Sequence, residues 1–235
     1  MNIIKNYING KHVSMSSKEL DVYDPSTGEV ISKVVLSDLN DFNNLIESSK
    51  KSQDDWANTT PLKRSRIISK YKNLIENNMQ ELAELISKEH GKTLDDAKGS
   101  VTRGLEVVEF ACGIPSLLKG DFSQNVGTNI DSWSVRHPLG ICAGITPFNF
   151  PAMVPMWMYP LAIACGNSFI LKPSEKDPSC SIKLAELFSE AGLPDGVFNV
   201  IQGDKFIVDL ILKSPDISSV SFVGSTNVAK YIYEE

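Results

Sequence analysis

Four short stretches, each following an apolar strand-like run, carry residues able to hold a charged ligand: Thr146-Pro-Phe-Asn-Phe-Pro151, Lys172-Pro-Ser-Glu-Lys176, Gln202-Gly203 and Gly224-Ser-Thr226. Lys172 offers an ammonium with rotatable donors. Glu175, three residues on, offers a carboxylate that can accept from both hydroxyls of a ribose. A carboxylate there repels a ribose phosphate, which favours NAD over NADP. Taken singly, either residue reads as half of a surface ion pair. In Gly224-Ser225-Thr226 a small residue and two hydroxyls stand at a helix start, where free N–H groups and the helix dipole attract an anion. Ser225 capping its own helix accounts for the same residues. The GxGxxG fingerprint is absent, so pyrophosphate against the first helix of an ordinary Rossmann unit is not supported.

These stretches matter because of the elements that lead into them. From Pro138 onward strand-like and helix-like segments alternate: Ile141–Thr146, a helix from about Ala152 to Cys165, Ser168–Lys172, a helix from Pro178 to Ala191, Phe198–Ile201, a short helix around Phe206–Leu212, Ser219–Val223 and a last helix begun by Ser225. That order predicts a parallel sheet with helices on both faces, and the nearly all-apolar strands fit burial on both sides. Ligands of such sheets bind beyond the carboxyl ends of the strands.

The first half reads differently. Leu20–Tyr23 and Val30–Val35 flank a turn at Asp24-Pro-Ser-Thr-Gly28, and Asn9-Gly10 marks another. Helical spacing follows, with Leu39, Phe42, Leu45 and Ile46 on one face and Ser37 or Asp38 as N-cap. A second helical stretch opens at Pro61 and stops at Gly91. A third carries Leu94, Ala97, Val101, Leu105, Val108 and Cys112 on one stripe until Pro115 ends the region, with Arg103 off that stripe. Asp131–His137 reads as an exposed alternating strand, Trp133 and Val135 on one side, suited to contacts between subunits. The expected organisation is therefore residues 1–130 as strands and helices, 131–137 as an arm, and 138–235 as the βα core.

With 29 acidic against 23 basic residues the formal charge is −6, and the dispersed basic residues argue against nucleic acid or an anionic membrane as partner. A small-molecule ligand is the better expectation. No apolar run reaches the ~18 residues of a membrane span, and MNIIKNYING lacks a signal-peptide core, so a cytosolic location is expected. Cys112, Cys142, Cys165 and Cys180 form no CxxC pair, and His12, His90 and His137 stand alone. This spacing suggests neither a zinc site nor a disulfide framework.

PFNFP, LKPSE and FVGST, in that order and each at a strand end, resemble the aldehyde dehydrogenase superfamily, and YDPSTGEVI and EHGKTLDDAK extend the resemblance along the chain. PFNFPAMVPMWMYPLAIACGN, LKPSEKDP and RGLEVVEFACGIPSLLKGD are similar to its CoA-acylating methylmalonate-semialdehyde dehydrogenases. The resemblance implies an α/β fold: an aldehyde-dehydrogenase-like NAD-binding domain with a parallel Rossmann-type sheet, an N-terminal helical region and a β-arm. It implies oxidation of malonate or methylmalonate semialdehyde with NAD, transfer of the acyl group to coenzyme A, and a homo-oligomer. Residue by residue it implies NAD contacts from Thr146, Phe148, Lys172, Glu175, Lys176 and Ser225. Asn149 would be the oxyanion donor, and Arg103 the partner of the substrate carboxylate. A solvated helix arginine and a turn asparagine are the plain alternatives. Met153, Met156, Trp157 and Met158 read chiefly as core packing.

Enzymes of this kind use a cysteine nucleophile in a later catalytic domain, and none of the four cysteines here matches it. Lys230–Glu235 carries no helix stop signal, so a chain cut before its catalytic domain is expected. A non-catalytic dinucleotide-binding or oligomer-partner protein, or a dehydrogenase of another aldehyde specificity, is the alternative. An unrelated α/β reductase would need a Tyr/Lys pair at a strand end, and Tyr159 has no such lysine.

Overall fold

The computed structural model describes residues 1–235. The chain opens with β1 (Ile3–Ile4), β2 (Asn6–Ile8) and β3 (Lys11–Val13), then β4 (Glu19–Asp24) and β5 (Glu29–Val35). Asn9 and Gly10, both at positive φ, close the two-residue turn between β2 and β3. Helix α1 (Leu39–Ala57) starts at a capping box in which Asp38 and Asp41 satisfy each other's backbone N–H groups. Thr60 caps α2 (Pro61–Asn77) with Pro61 in its first turn, and α3 (Met79–His90) ends at Gly91 in the left-handed region. Thr93 caps α4 (Leu94–Cys112), which is followed by the single turn α5 (Ile114–Leu117). A hairpin of β6 (Phe122–Gly127) and β7 (Ile130–Trp133) precedes the alternating half: β8 (Ile141–Ile145), α6 (Met153–Met156), α7 (Tyr159–Ala164), β9 (Ser168–Lys172), α8 (Ser179–Glu190), β10 (Phe198–Val200), α9 (Lys205–Lys213), β11 (Ile217–Phe222) and α10 (Thr226–Glu234). No helix is long and apolar enough to cross a membrane.

The main sheet has the order β11-β8-β9-β10-β2-β3. Its first four strands run parallel, and β2 and β3 extend it antiparallel. Side-chain alternation divides the core between two faces. Ile141, Ala143, Ile145, Ile170 and Ile201 meet Phe42, Leu45 and Ile46 of α1 and Ile207 and Ile211 of α9. Cys142, Phe169, Leu171, Phe198 and Val200 point the other way, into the larger core that holds Ile68 and Tyr71 of α2, Ile86 of α3, Val101 of α4, Ile163 of α7 and Phe188 of α8. There Tyr71 stacks on Phe188 at 4.0 Å and shares a hydroxyl hydrogen bond with Tyr159. A second sheet, β1-β5-β4, lies beside the first.

Asn6 joins the N-terminal strands to the main sheet. It is fully buried; its side-chain oxygen accepts from the Ser37 hydroxyl at 2.9 Å and the Gln202 N–H at 2.7 Å, and its amide donates to Asp41 at 3.2 Å.

Four expectations need correction. The helix expected over 152–165 is two short ones, because Pro155 and Pro160 lack N–H donors and Pro160 starts a new first turn. Pro115 does not end the helical region: it sits in the first turn of α5, where a missing N–H costs nothing. The strand expected at 131–137 is Ile130–Trp133 paired with β6; Ser134–His137 is irregular, and every side chain of β7 is exposed, so no buried face alternates with an open one. Leu39 and Leu94, each the first residue of its helix, project past the packed surfaces and stay half-exposed.

Candidate active site

The parallel register brings the carboxyl ends of the strands to one rim: Ile145 of β8 lies opposite Lys172 of β9 and Phe222 of β11, and Val200 of β10 opposite Leu171. The turns after these strands therefore adjoin. The Thr146 N–H donates to the Lys172 carbonyl at 3.2 Å. The Thr146 hydroxyl is buried and has no partner. Lys172 is only 5% exposed, so the surface ion pair considered from sequence is instead a buried ammonium reaching outward: its Nζ lies 3.2 Å from Glu175, whose side chain remains 31% exposed. Burial lowers the Lys172 ammonium from its usual range, and Glu175 and Asp204 pull it back.

Ser225 occupies the N-cap of α10 with extended backbone, yet its hydroxyl makes no capping bond, so the self-capping role is not taken. A Cβ at Gly224, before it, would meet the tip of the Phe222 ring, which would have to turn aside. At the end of β10, two strands beyond β8, the fully buried Gln202 amide has neither its donor nor its acceptor satisfied. Phe148 is half-exposed, and the Lys176 ammonium sits over its ring at 4.7 Å. The rim thus gathers Lys172 and Glu175 on one turn, with Thr146 beneath them; Lys176 turns onto Phe148.

Asn149 and Arg103 come from distant parts of the sequence and line one cavity of about 490 Å³, together with His90, Lys92, Ser100, Phe150 and two carboxylates, Asp95 and Asp96. Both are exposed, the Asn149 amide makes no hydrogen bond, and Arg103 has no ion-pair partner. The cavity therefore presents a free guanidinium and a free amide. The Ser100 hydroxyl in its wall is buried and unpaired. A groove of similar volume, about 470 Å³, between α1 and α9 includes no residue of the strand-end turns.

Sequence reasoning missed two further residues, Lys92 in the wall of this cavity and the buried Asp177. Lys92 donates to the Asn149 carbonyl at 2.8 Å, and the sequence hint was a cation just past the Gly91 helix stop. Asp177 is 2% exposed and forms no well-aligned hydrogen bond. Burial, reinforced by Glu89, pushes its carboxyl up to about 8, while Ser174 and Lys92 moderate the shift. Glu89 accepts from both the N–H and the hydroxyl of Ser179 at the start of α8, and burial raises its carboxyl too.

Burial is also the first cause that raises all four thiols, Cys142 to about 11. None is the readily ionised thiol of an activated nucleophile.

The aldehyde dehydrogenase family profile matches residues 12–235. The chain belongs to the aldehyde dehydrogenase family. A malonate-semialdehyde dehydrogenase of Pseudomonas aeruginosa is 54% identical over 235 residues, all of this chain and 47% of that protein. The mitochondrial acylating methylmalonate-semialdehyde dehydrogenase of Arabidopsis thaliana is 50% identical over 231 residues, 98% of this chain and 38% of that protein. A Sinorhizobium meliloti protein assigned to methylmalonate-semialdehyde oxidation, solved in complex with NAD, superposes with a TM-score of 0.98 at 54% identity, over 100% of this chain and 48% of that one. The fold is thus that of aldehyde dehydrogenases, and the chain spans about half the length of the relatives it matches.

Proposed function

We propose that this chain is the dinucleotide-binding half of an NAD-dependent, CoA-acylating malonate- or methylmalonate-semialdehyde dehydrogenase. The observation that carries the reading is the shared cavity of Arg103 and Asn149 beside the strand-end rim. A substrate with a carboxylate at one end and an aldehyde at the other needs both groups: a guanidinium holding the carboxylate by two parallel hydrogen bonds, and an amide donating to the oxygen that becomes negative on attack. The free Arg103 and free Asn149 amide meet that demand, and the acylating relative supports CoA as acyl acceptor.

The donor set at the rim suits a dinucleotide. Glu175 would accept from the ribose diol with Lys172 beside it, and Ser225 with the start of α10 would receive the pyrophosphate. Thr146, Phe148 and Lys176 would complete the surface, the unpaired Thr146 hydroxyl being available for a new partner. When bound, NAD supplies the hydride acceptor. This chain's own part is to hold the aldehyde against that acceptor and to stabilise the oxyanion through Asn149. The attacking thiolate is assigned to the part of the relatives that this chain does not match, because all four thiols here are raised by burial.

The β6–β7 hairpin, with Phe122, Ile130 and Trp133 each more than half exposed, is the proposed arm of a homo-oligomer. A cytosolic setting belongs to the same proposal. The test is NADH formation from NAD, semialdehyde and CoA. The chain alone should form none; a longer polypeptide that adds the remaining half should, with strong losses in Asn149→Ala and Arg103→Ala. Turnover by the short chain that disappears in Cys142→Ser or Cys165→Ser would overturn the assignment of the nucleophile.

A further inference from the structure

The turn that carries Asn149 is held by the residues just beyond the end of α3. Lys92 donates to the Asn149 carbonyl at 2.8 Å, and the same ammonium lies over the Phe150 ring at 4.4 Å. On the other side Phe148 stacks against His90, with centroids 6.2 Å apart and planes 28° from parallel. Three consecutive residues are thus gripped by a span of three. The grip itself is fixed: the Ser87 hydroxyl donates to the Lys92 carbonyl at 2.8 Å, and Gly91, at φ 84°, reverses the chain so that His90 and Lys92 both face the turn. Any side chain at Gly91 would meet Pro25, with a Cβ only 2.7 Å from its ring.

Every one of these contacts falls on a backbone carbonyl or a flanking ring, and none uses the Asn149 amide. A free surface loop would have to lose rotational freedom as the oxyanion forms, whereas a pinned one presents its donor already oriented. We propose that Lys92, seconded by His90, is a positioning residue that pre-orders the Phe148-Asn149-Phe150 turn and leaves its amide free to act. The inference rests on the reading of Asn149 as oxyanion donor, but its test needs neither substrate nor cofactor.

The experiment is nuclear magnetic relaxation on this chain as wild type, Lys92→Met and Lys92→Arg. In the wild type the amides of 148–150 should have order parameters near ~0.85, falling below ~0.6 in Lys92→Met. Lys92→Arg, which keeps a donor and a cation for the ring, should restore them, and β8 and β9 should be unchanged throughout. Unchanged order in Lys92→Met, or equal loss in Lys92→Arg, overturns the proposal. Should Lys92→Met fail to fold, the wild-type spectrum decides. The ε-methylene protons of Lys92 should be displaced upfield by the Phe150 ring and return in Phe150→Leu, and ordinary lysine shifts in the wild type would overturn the proposal. Failure of the oxyanion reading would show separately, as undiminished turnover of Asn149→Ala in the longer polypeptide that carries the remaining half.

Discussion

Replacing Asp177 with asparagine should make the protein more stable at neutral pH and remove part of its pH dependence. The Asp177 carboxyl is pushed up from its ordinary value of 3.8 to about 8, first by burial and then by Glu89, with Ser174 and Lys92 pulling it down and Glu175 adding a little. The folded-state value lies above the unfolded one, so between these values the folded protein holds a proton that the unfolded chain has already lost. Stability from this group is therefore present at low pH, falls as pH rises through the window, and levels off above about 8. At pH 7 the solution is about three pH units above the unfolded value and still below the folded one, each unit worth ~1.4 kcal/mol, for a cost of roughly 4 kcal/mol. The asparagine amide would be buried without a partner at about 1–3 kcal/mol, leaving a net gain of the same order. Urea unfolding of wild type and Asp177→Asn, from about pH 5 to about pH 9, measures the difference as a function of pH. The variant's advantage should be small or absent at the acid end and grow towards the alkaline end. Parallel curves, or a variant less stable at the alkaline end, would refute the reasoning.

Asn6→Ala should cost roughly 2–5 kcal/mol in urea unfolding, because it leaves the buried Gln202 N–H and Ser37 hydroxyl without their acceptor. Gly104→Ala should cost ~1–3 kcal/mol in the same assay, since its new Cβ would stand 2.9 Å from that of Met156, part of the helix rather than a movable tip. With a thiol reagent near neutral pH, Cys142 and Cys180 should stay unlabelled until the protein is unfolded, and Cys112 and Cys165 should react more slowly than free cysteine.

What could be read from sequence was what is decided locally or by two-sided burial. Asp38 and Gly91 mark helix ends because a cap is a contact within a few residues. The strands at 141–145 and 168–172 stand out because both faces are covered and every position is buried. Lys172 and Glu175 are three residues apart, so their pairing was visible as well. The antiparallel extension by β2 and β3 was not, since it depends on Asn6 meeting Gln202 from 196 positions away. Strand β6 bends around Asn125 at φ 53° with no buried face, and so offers no period to detect. The convergence of Arg103 and Asn149, and the grip of Lys92 on the turn that carries Asn149, are products of helix packing that no local pattern encodes.

Calorimetric titration of this chain with NAD and NADP puts the proposed rim site of Lys172, Glu175 and Ser225 to the test without any turnover. NAD should bind, and NADP should bind at least about tenfold more weakly, since a 2′-phosphate would face the Glu175 carboxylate. Glu175→Ala should weaken NAD and narrow the gap, and Lys172→Ala should weaken both. Equal affinities in the wild type, or a preference for NADP that survives Glu175→Ala, would contradict the claim.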